Sequence, residues 1–294
     1  MTLVAPVCRI RPTHRHLAVA CVLAAACGAS ASGDDDDDVS PDARTDATSG
    51  PDGNEALPSR VYAHSGLMLY RIDTMTMAAV PVGAFTNLAA QTMTDIAIDR
   101  DERMIGVTLT KIFEIDETTA ASTFLADFTG TDNLTSLSFV PANPALPDGP
   151  EMLVAATDTG AVIRIDIVGQ TASATVIGDY GQHMGMDIVS SGDIVYVRDF
   201  GMVATVDVGN GNDFVATIDQ ANGWAATVIG TGTTFDKIFG VAFWNGTLYG
   251  FVDGGAGAGS MIRLDRQTGA ATLLRAGTIQ WRGAGVTTVA PIIG

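Results

Sequence analysis

Beyond residue 27 the chain contains two histidines, His64 and His183, and no cysteine. A zinc site would have to join both histidines to carboxylates from distant segments, because no His-Glu-x-x-His or Cys-x-x-Cys motif is present. Nucleophilic acyl transfer has no Gly-x-Ser-x-Gly turn to present its serine. The glycine-rich run 254–259 lacks the Gly-Lys-Ser/Thr of a phosphate loop. Calcium is the ion whose oxygen chemistry finds the best match. Asp207, Asn210, Asn212 and Asp213 cluster in a glycine-rich turn, although their spacing is not that of an EF-hand and an Asn-Gly hairpin turn explains it as well. No carboxylate can be given a catalytic role from these patterns, and no cofactor is called for.

The segments that carry these residues repeat. Five times an apolar strand-like stretch ends in Asp: Tyr70–Asp73, Phe113–Asp116, Ile163–Asp166, Ala216–Asp219 and Ile262–Asp265. The copies lie 43, 50, 53 and 46 residues apart. A period in the forties built from short strands is the pattern of a β-propeller blade. The Asp has a local task, since its carboxylate can accept backbone N–H groups one or two residues on and start a turn. Gly169, Asn222-Gly223 and Gly269 then supply the positive φ of the reversal.

About twenty residues after each Asp comes a second apolar stretch: 95–98, 136–139, 185–188, 240–243 and 285–288. Large residues (Ile96, Leu137, Met186, Val241, Val286) alternate with small ones (Ala97, Ser138, Asp187, Ala242, Thr287), which argues strand. Small side chains suit the crowded axis, so these stretches are expected to be innermost. The last of them has no outer strands after it and should complete the first blade, closing the ring without a free edge. The expected fold is therefore all-β, a propeller of five four-stranded blades. Residues 201–212 exceed the pattern, as an extra hairpin or as a sixth blade. The loops leading into the inner strands carry Asp95, Asp132, His183, Asp236, Trp281 and Arg282, which should meet at one mouth of the channel as candidate ligand-binding groups. Asp187 is the ionisable member of the small set and a candidate channel ligand.

The formal charge is −17, with 47% hydrophobic residues and 33 Gly. Such acidity opposes binding to nucleic acid or to anionic lipid through a basic patch. Residues 1–27 carry Arg9, Arg11 and Arg15 and then an apolar run over 17–26, too short for a final membrane span. Residues 28–59, with Asp34–Asp38 unbroken, have almost nothing to bury and read as a solvated tether. All three cysteines, Cys8, Cys21 and Cys27, precede it, so the domain over 60–294 must be held without disulfides.

Two resemblances add to this. Leu23-Ala-Ala-Ala-Cys27-Gly28 resembles a bacterial lipoprotein signal ending in its lipidated cysteine, with the leucine one place further from Cys27 than usual. Cleavage after Ala29-Ser-Ala31, giving a secreted chain, is the alternative. Leu264-Asp-x-x-Thr268-Gly269-x-x-Thr272 resembles the YVTN/NHL-like propeller repeats. That broad group includes binding scaffolds, lyases, lactonases and quinoprotein-like dehydrogenases, so the repeat implies fold and not activity. Together they imply a monomeric, envelope-anchored extracytoplasmic lipoprotein whose propeller binds a protein or small ligand without catalysis. The alternative is an extracytoplasmic hydrolase or lyase working at the channel mouth, with Ca²⁺ as its ion.

Overall fold

The computed structural model describes residues 59–129, 134–209 and 211–293. Cys27, the signal-like segment, Asp132 and Asn210 lie outside them, as does all of the tether except Ser59. Apart from one 3₁₀ turn at Gln220–Asn222, the regular structure is strand.

Five antiparallel four-stranded meanders account for almost all of it. The first holds β1 (Val61–His64), β2 (Met68–Asp73) and β3 (Ala78–Ala84). The second is β4 (Asp95–Ile98), β5 (Met104–Val107), β6 (Lys111–Ile115) and β7 (Ser122–Phe128). The third is β8 (Ser138–Pro141), β9 (Glu151–Ala156), β10 (Ala161–Val168) and β11 (Thr171–Asp179). A two-residue strand, β12 (Gln182–His183), precedes the fourth: β13 (Met186–Val197), β14 (Gly201–Val208), β15 (Phe214–Asp219) and β16 (Ala225–Ile229). The fifth is β17 (Ile238–Trp244), β18 (Thr247–Asp253), β19 (Gly259–Leu264) and β20 (Ala271–Gly277). The final strand, β21 (Gly283–Gly285), pairs with β1, Ala63 opposite Ala284, so the C-terminus supplies the innermost strand of the first meander.

The innermost strands β21, β4, β8, β13 and β17 touch one another in that cyclic order, which makes the molecule a β-propeller. Their convergence needs small residues. A Cβ on Gly240 would collide with the Gly283 backbone and with Ala284, and one on Gly192 would strike the Ile238 carbonyl. The outermost strands β7 and β11 also pair, in parallel, and fuse the second and third meanders into one eight-stranded sheet. Between neighbouring meanders the core is packed apolar surface, for example Val195, Val241, Phe243 and Val286.

Two sequence expectations need correction. The innermost strand of the fourth meander is not 185–188. It is the second half of β13, where Ile194 and Val195 line the axis beside Ile96, Leu137 and Val241. β13 carries a register shift between Ser190 and Ile194, the irregularity of a β-bulge, and Met186 and Asp187 in its first half are exposed. Residues 201–212 are not surplus either: β14 is the second strand of that meander, paired with both β13 and β15.

Four of the five repeated aspartates start the turn expected of them. Asp73, Asp116, Asp219 and Asp265 each accept two backbone N–H groups through Oδ1. Asp166 does not. Its strand runs on to Val168 before the turn at Gly169, and its carboxylate pairs with Arg164 Nε at 2.8 Å.

Candidate functional site

One residue directly precedes each blade's first axial residue: Asp95, Ser136, Asp193, Gly240 and Gly283. Both aspartates are buried, and both have the same local reason to be there. Each folds its carboxylate back onto the N–H of the next residue, Ile96 at 2.8 Å and Ile194 at 2.6 Å. Each also reaches the next meander. Asp193 Oδ2 accepts the Val241 N–H at 2.7 Å, and Asp95 takes that of Leu137. A carboxylate bonded to two inward-pointing N–H groups is a clamp between blades.

The two carboxyls also meet each other. Burial, and then the charge of Asp193, drives Asp95 well above the usual carboxylate range. Burial raises Asp193 too, opposed by its backbone donors and by its hydrogen bond with Asp95. Two carboxyls can hydrogen-bond only if one proton stays between them, so the pair holds that proton jointly above the usual carboxylate range. Asp95 Oδ2 has no N–H or hydroxyl donor among the described residues.

His64, at the end of β1, completes the cluster. Its Nδ1 lies 2.9 Å from the Ser65 carbonyl, which can only accept, so Nδ1 carries the hydrogen and Nε2 is bare. Nε2 lies 3.9 Å from Asp95 Oδ1 without a donor of its own. Burial lowers the His64 pKa to about 4, with the Arg282 charge pushing the same way. Gly283 lets this pair approach: a Cβ there would collide with Asp95 Oδ1 and His64 Nε2. Tyr180, also buried, lies within the field of Asp193, and its hydroxyl has no partner among the described residues.

A shared carboxyl proton beside a bare imidazole nitrogen could in principle exchange protons with a bound molecule. Among the described residues, the axis leaves no room for one. Below the acids it is filled by Ile96, Leu137, Ile194, Val241 and Val286, around a cavity of about 10 Å³, roughly the volume of one water.

The residues expected at the channel mouth are placed unevenly. Asp95 is on the axis, but buried. Arg282 is half exposed, 3.6 Å from Asp253 Oδ2 and over the Phe239 ring. Asp236 and Lys237 are exposed nearby in the chain. Trp281 is not a surface group: it is buried edge-on against Tyr70 and Phe251. Asp187 is not in the channel. It is exposed on the β12–β13 hairpin, where it accepts the Gln182 amide at 2.7 Å, and His183 shares that hairpin half-buried.

Of the calcium candidates, Asp213 is buried and already takes the Ile238 N–H at 2.7 Å. Burial raises its pKa to about 6, and the charges of Asp236 and Asp207 add to that. Asn212 is exposed. Among the described residues, no group of three or more His, Cys, Asp or Glu side chains is set to hold a metal ion.

Sequence reasoning weighed His64 only as a zinc ligand, and it missed Asp193. The signal for Asp193 was present: Asp193-Ile-Val repeats Asp95-Ile-Ala. His64 had none, because it sits on the second strand of its blade and reaches the axis only past a glycine.

No family model matches this chain, and no curated protein matches it significantly. Solved structures do. One is a protein of unknown function from Bacteroides caccae, with 10% identity and a TM-score of 0.41 over 74% of this chain and 71% of that one. A second protein of unknown function, from Bacteroides thetaiotaomicron, has 12% identity and a TM-score of 0.45 over 64% of this chain and 52% of that one. The Cps50 (Swd1) β-propeller domain of Myceliophteria thermophila shares 12% identity at a TM-score of 0.39, over 73% of this chain and 67% of that one. Their resemblance is one of fold, and what they bind or catalyse is not carried over.

Proposed function

We propose that this chain is a non-catalytic binding module presented outside the cytoplasm, lipidated on Cys27 and joined to its anchor by the acidic segment 28–59. One observation carries the non-catalytic part. Among the described residues the axis is filled by apolar side chains, and its two carboxyls each take a backbone N–H of the next blade. Recognition then falls to the face where the inner strands begin, which offers Arg282 over Phe239 together with exposed Asp236 and Lys237. The test places a photoreactive residue at Lys237 of the full-length chain in its own envelope, alongside Cys27→Ala. One discrete cross-linked adduct, with Cys27→Ala released from the membrane fraction, is the expected result. No adduct, or an unmodified chain starting near Ser32, would overturn it.

The second reading is an extracytoplasmic hydrolase or lyase, with Ca²⁺ at the mouth. It is favoured by the shared proton of Asp95 and Asp193 beside His64. Ester or lactone turnover that is abolished in Asp193→Asn, while the variant keeps its fold, would establish it.

A further inference from the structure

The acidic balance of this chain makes an unpaired guanidinium in a concave site unusual, and there is one. A cleft of about 380 Å³ opens between the first and second meanders, within the range of small-ligand pockets. Arg71 stands in its wall. The strand register places Tyr62, Arg71 and Val80 directly opposite one another across β1, β2 and β3, so all three project from the same face.

The acids around the cleft have polar partners, and Arg60 stands in the wall as a second cation. Glu117 accepts the Tyr62 hydroxyl at 3.2 Å, and Glu102 pairs with Arg60. Asp73, two residues along the strand, holds the N–H groups of Met75 and Thr76. Arg71 makes no hydrogen bond or ion pair among the described residues, and its charge bears on Asp73, two residues along the strand. Val80, 44% exposed, and Val82 give the cleft an apolar wall beside this cation.

We propose that this cleft binds a small organic carboxylate, its carboxylate gripped by Arg71 and its apolar body laid on Val80 and Val82. A guanidinium forms two parallel hydrogen bonds to a planar carboxylate. A bare inorganic oxyanion would leave the valine wall uncovered, and a neutral molecule would leave the arginine unpaired. The cleft is separate from the face invoked above, so either proposal can fail alone.

The experiment titrates the full-length chain with benzoate, and with benzamide and inorganic sulfate as comparisons. Binding is read by calorimetry and by amide chemical shifts over residues 78–84. Saturable benzoate binding is expected, with benzamide and sulfate weaker by about tenfold or more, the worth of one charge-assisted hydrogen bond. Arg71→Gln lowers benzoate affinity by a similar factor, and Arg71→Lys falls between. Because Arg71 is exposed and unpaired, the melting temperature of Arg71→Gln stays with the wild type. No saturable benzoate binding up to ~10 mM, or equal affinity in Arg71→Gln, would overturn the assignment.

Discussion

The two ends of the inner-strand ring solve one problem in opposite ways. At both ends carboxylates sit near the axis, where water is scarce. At the trailing end each finds a conventional partner. Glu151 receives Arg100, with Nη2 at 3.3 Å and the backbone N–H at 3.1 Å, and the Thr288 hydroxyl at 2.6 Å. Arg100 also ties down the proline-rich loop through the Asp148 and Pro147 carbonyls. At the leading end no cation reaches Asp95 or Asp193. Backbone N–H groups and a retained proton do the work, and Nε2 of His64 is left bare. At the trailing end Arg100, a quarter exposed, can turn to water if its partner is lost. The leading end has no such recourse, because the apolar plug lies beneath it. An unpartnered buried acceptor costs more than an exposed one.

The largest effect should therefore come from the clamp. Asp193→Ala strands the N–H groups of Ile194 and Val241 in a buried site, at roughly 1–3 kcal/mol for each. Glu151→Ala strands the buried Thr288 hydroxyl but leaves Arg100, a quarter exposed, free to hydrate, and should cost less, about 1–2 kcal/mol. Within the dyad, Asp95→Asn and Asp193→Asn each keep a side-chain oxygen for the backbone donors, so both should be milder than Asp193→Ala. Urea denaturation of the four variants measures this order. Equal losses for Asp193→Ala and Glu151→Ala would erase the contrast between the two ends.

His64 sharpens the contrast through pH. Its folded pKa of about 4 lies below the ordinary value of 6.5. Between those limits the unfolded chain takes up a proton that the folded chain refuses, so stability attributable to His64 rises with pH across this window. Asp95 and Asp193 act in the opposite sense. Their raised folded values mean that stability attributable to them falls as pH climbs above the usual carboxylate range. Subtracting His64→Asn from the wild type isolates the imidazole. From pH 7 down to pH 4 the wild type should lose about 3 kcal/mol relative to the variant. A flat difference would mean that His64 is not held neutral.

Much of the fold could be read in advance, because a blade repeats. The Asp-turn motif and the large-small alternation mark strands by local chemistry, and the closing strand follows from chain phase. The misreading in the fourth blade also has a local cause. Met186-Asp-Ile188 alternates as an inner strand was expected to, whereas Ile194-Val-Tyr196 is a continuous apolar run, and the strand is irregular between Ser190 and Ile194. The site was less legible. Asp95 stood out as a polar residue before an inner strand, but its burial depends on the neighbouring blade. His64 is brought to it by strand pairing with Gly283 from the far end of the chain. Trp281 looked like a surface aromatic because its packing partners, Tyr70 and Phe251, belong to different blades.

The smallest expected effect lies in the repeated turns, where four aspartates agree and one departs. Asp116 is the strongest case. Its Oδ1 accepts the N–H and hydroxyl groups of both Thr118 and Thr119, and these four donors pull its pKa down to about 2. Asp166 holds only Arg164 across an exposed pair. Asp116→Ala should lower the melting temperature by about 2 °C, whereas Asp166→Ala should leave it nearly unchanged, as exposed ion pairs usually do. The two substitutions remove the same carboxylate from the same place in the repeat, so any difference between them belongs to the turn. A fall of equal size in both would mean that the carboxylate contributes through its charge alone, and the conserved geometry of the other four turns would then owe nothing to it.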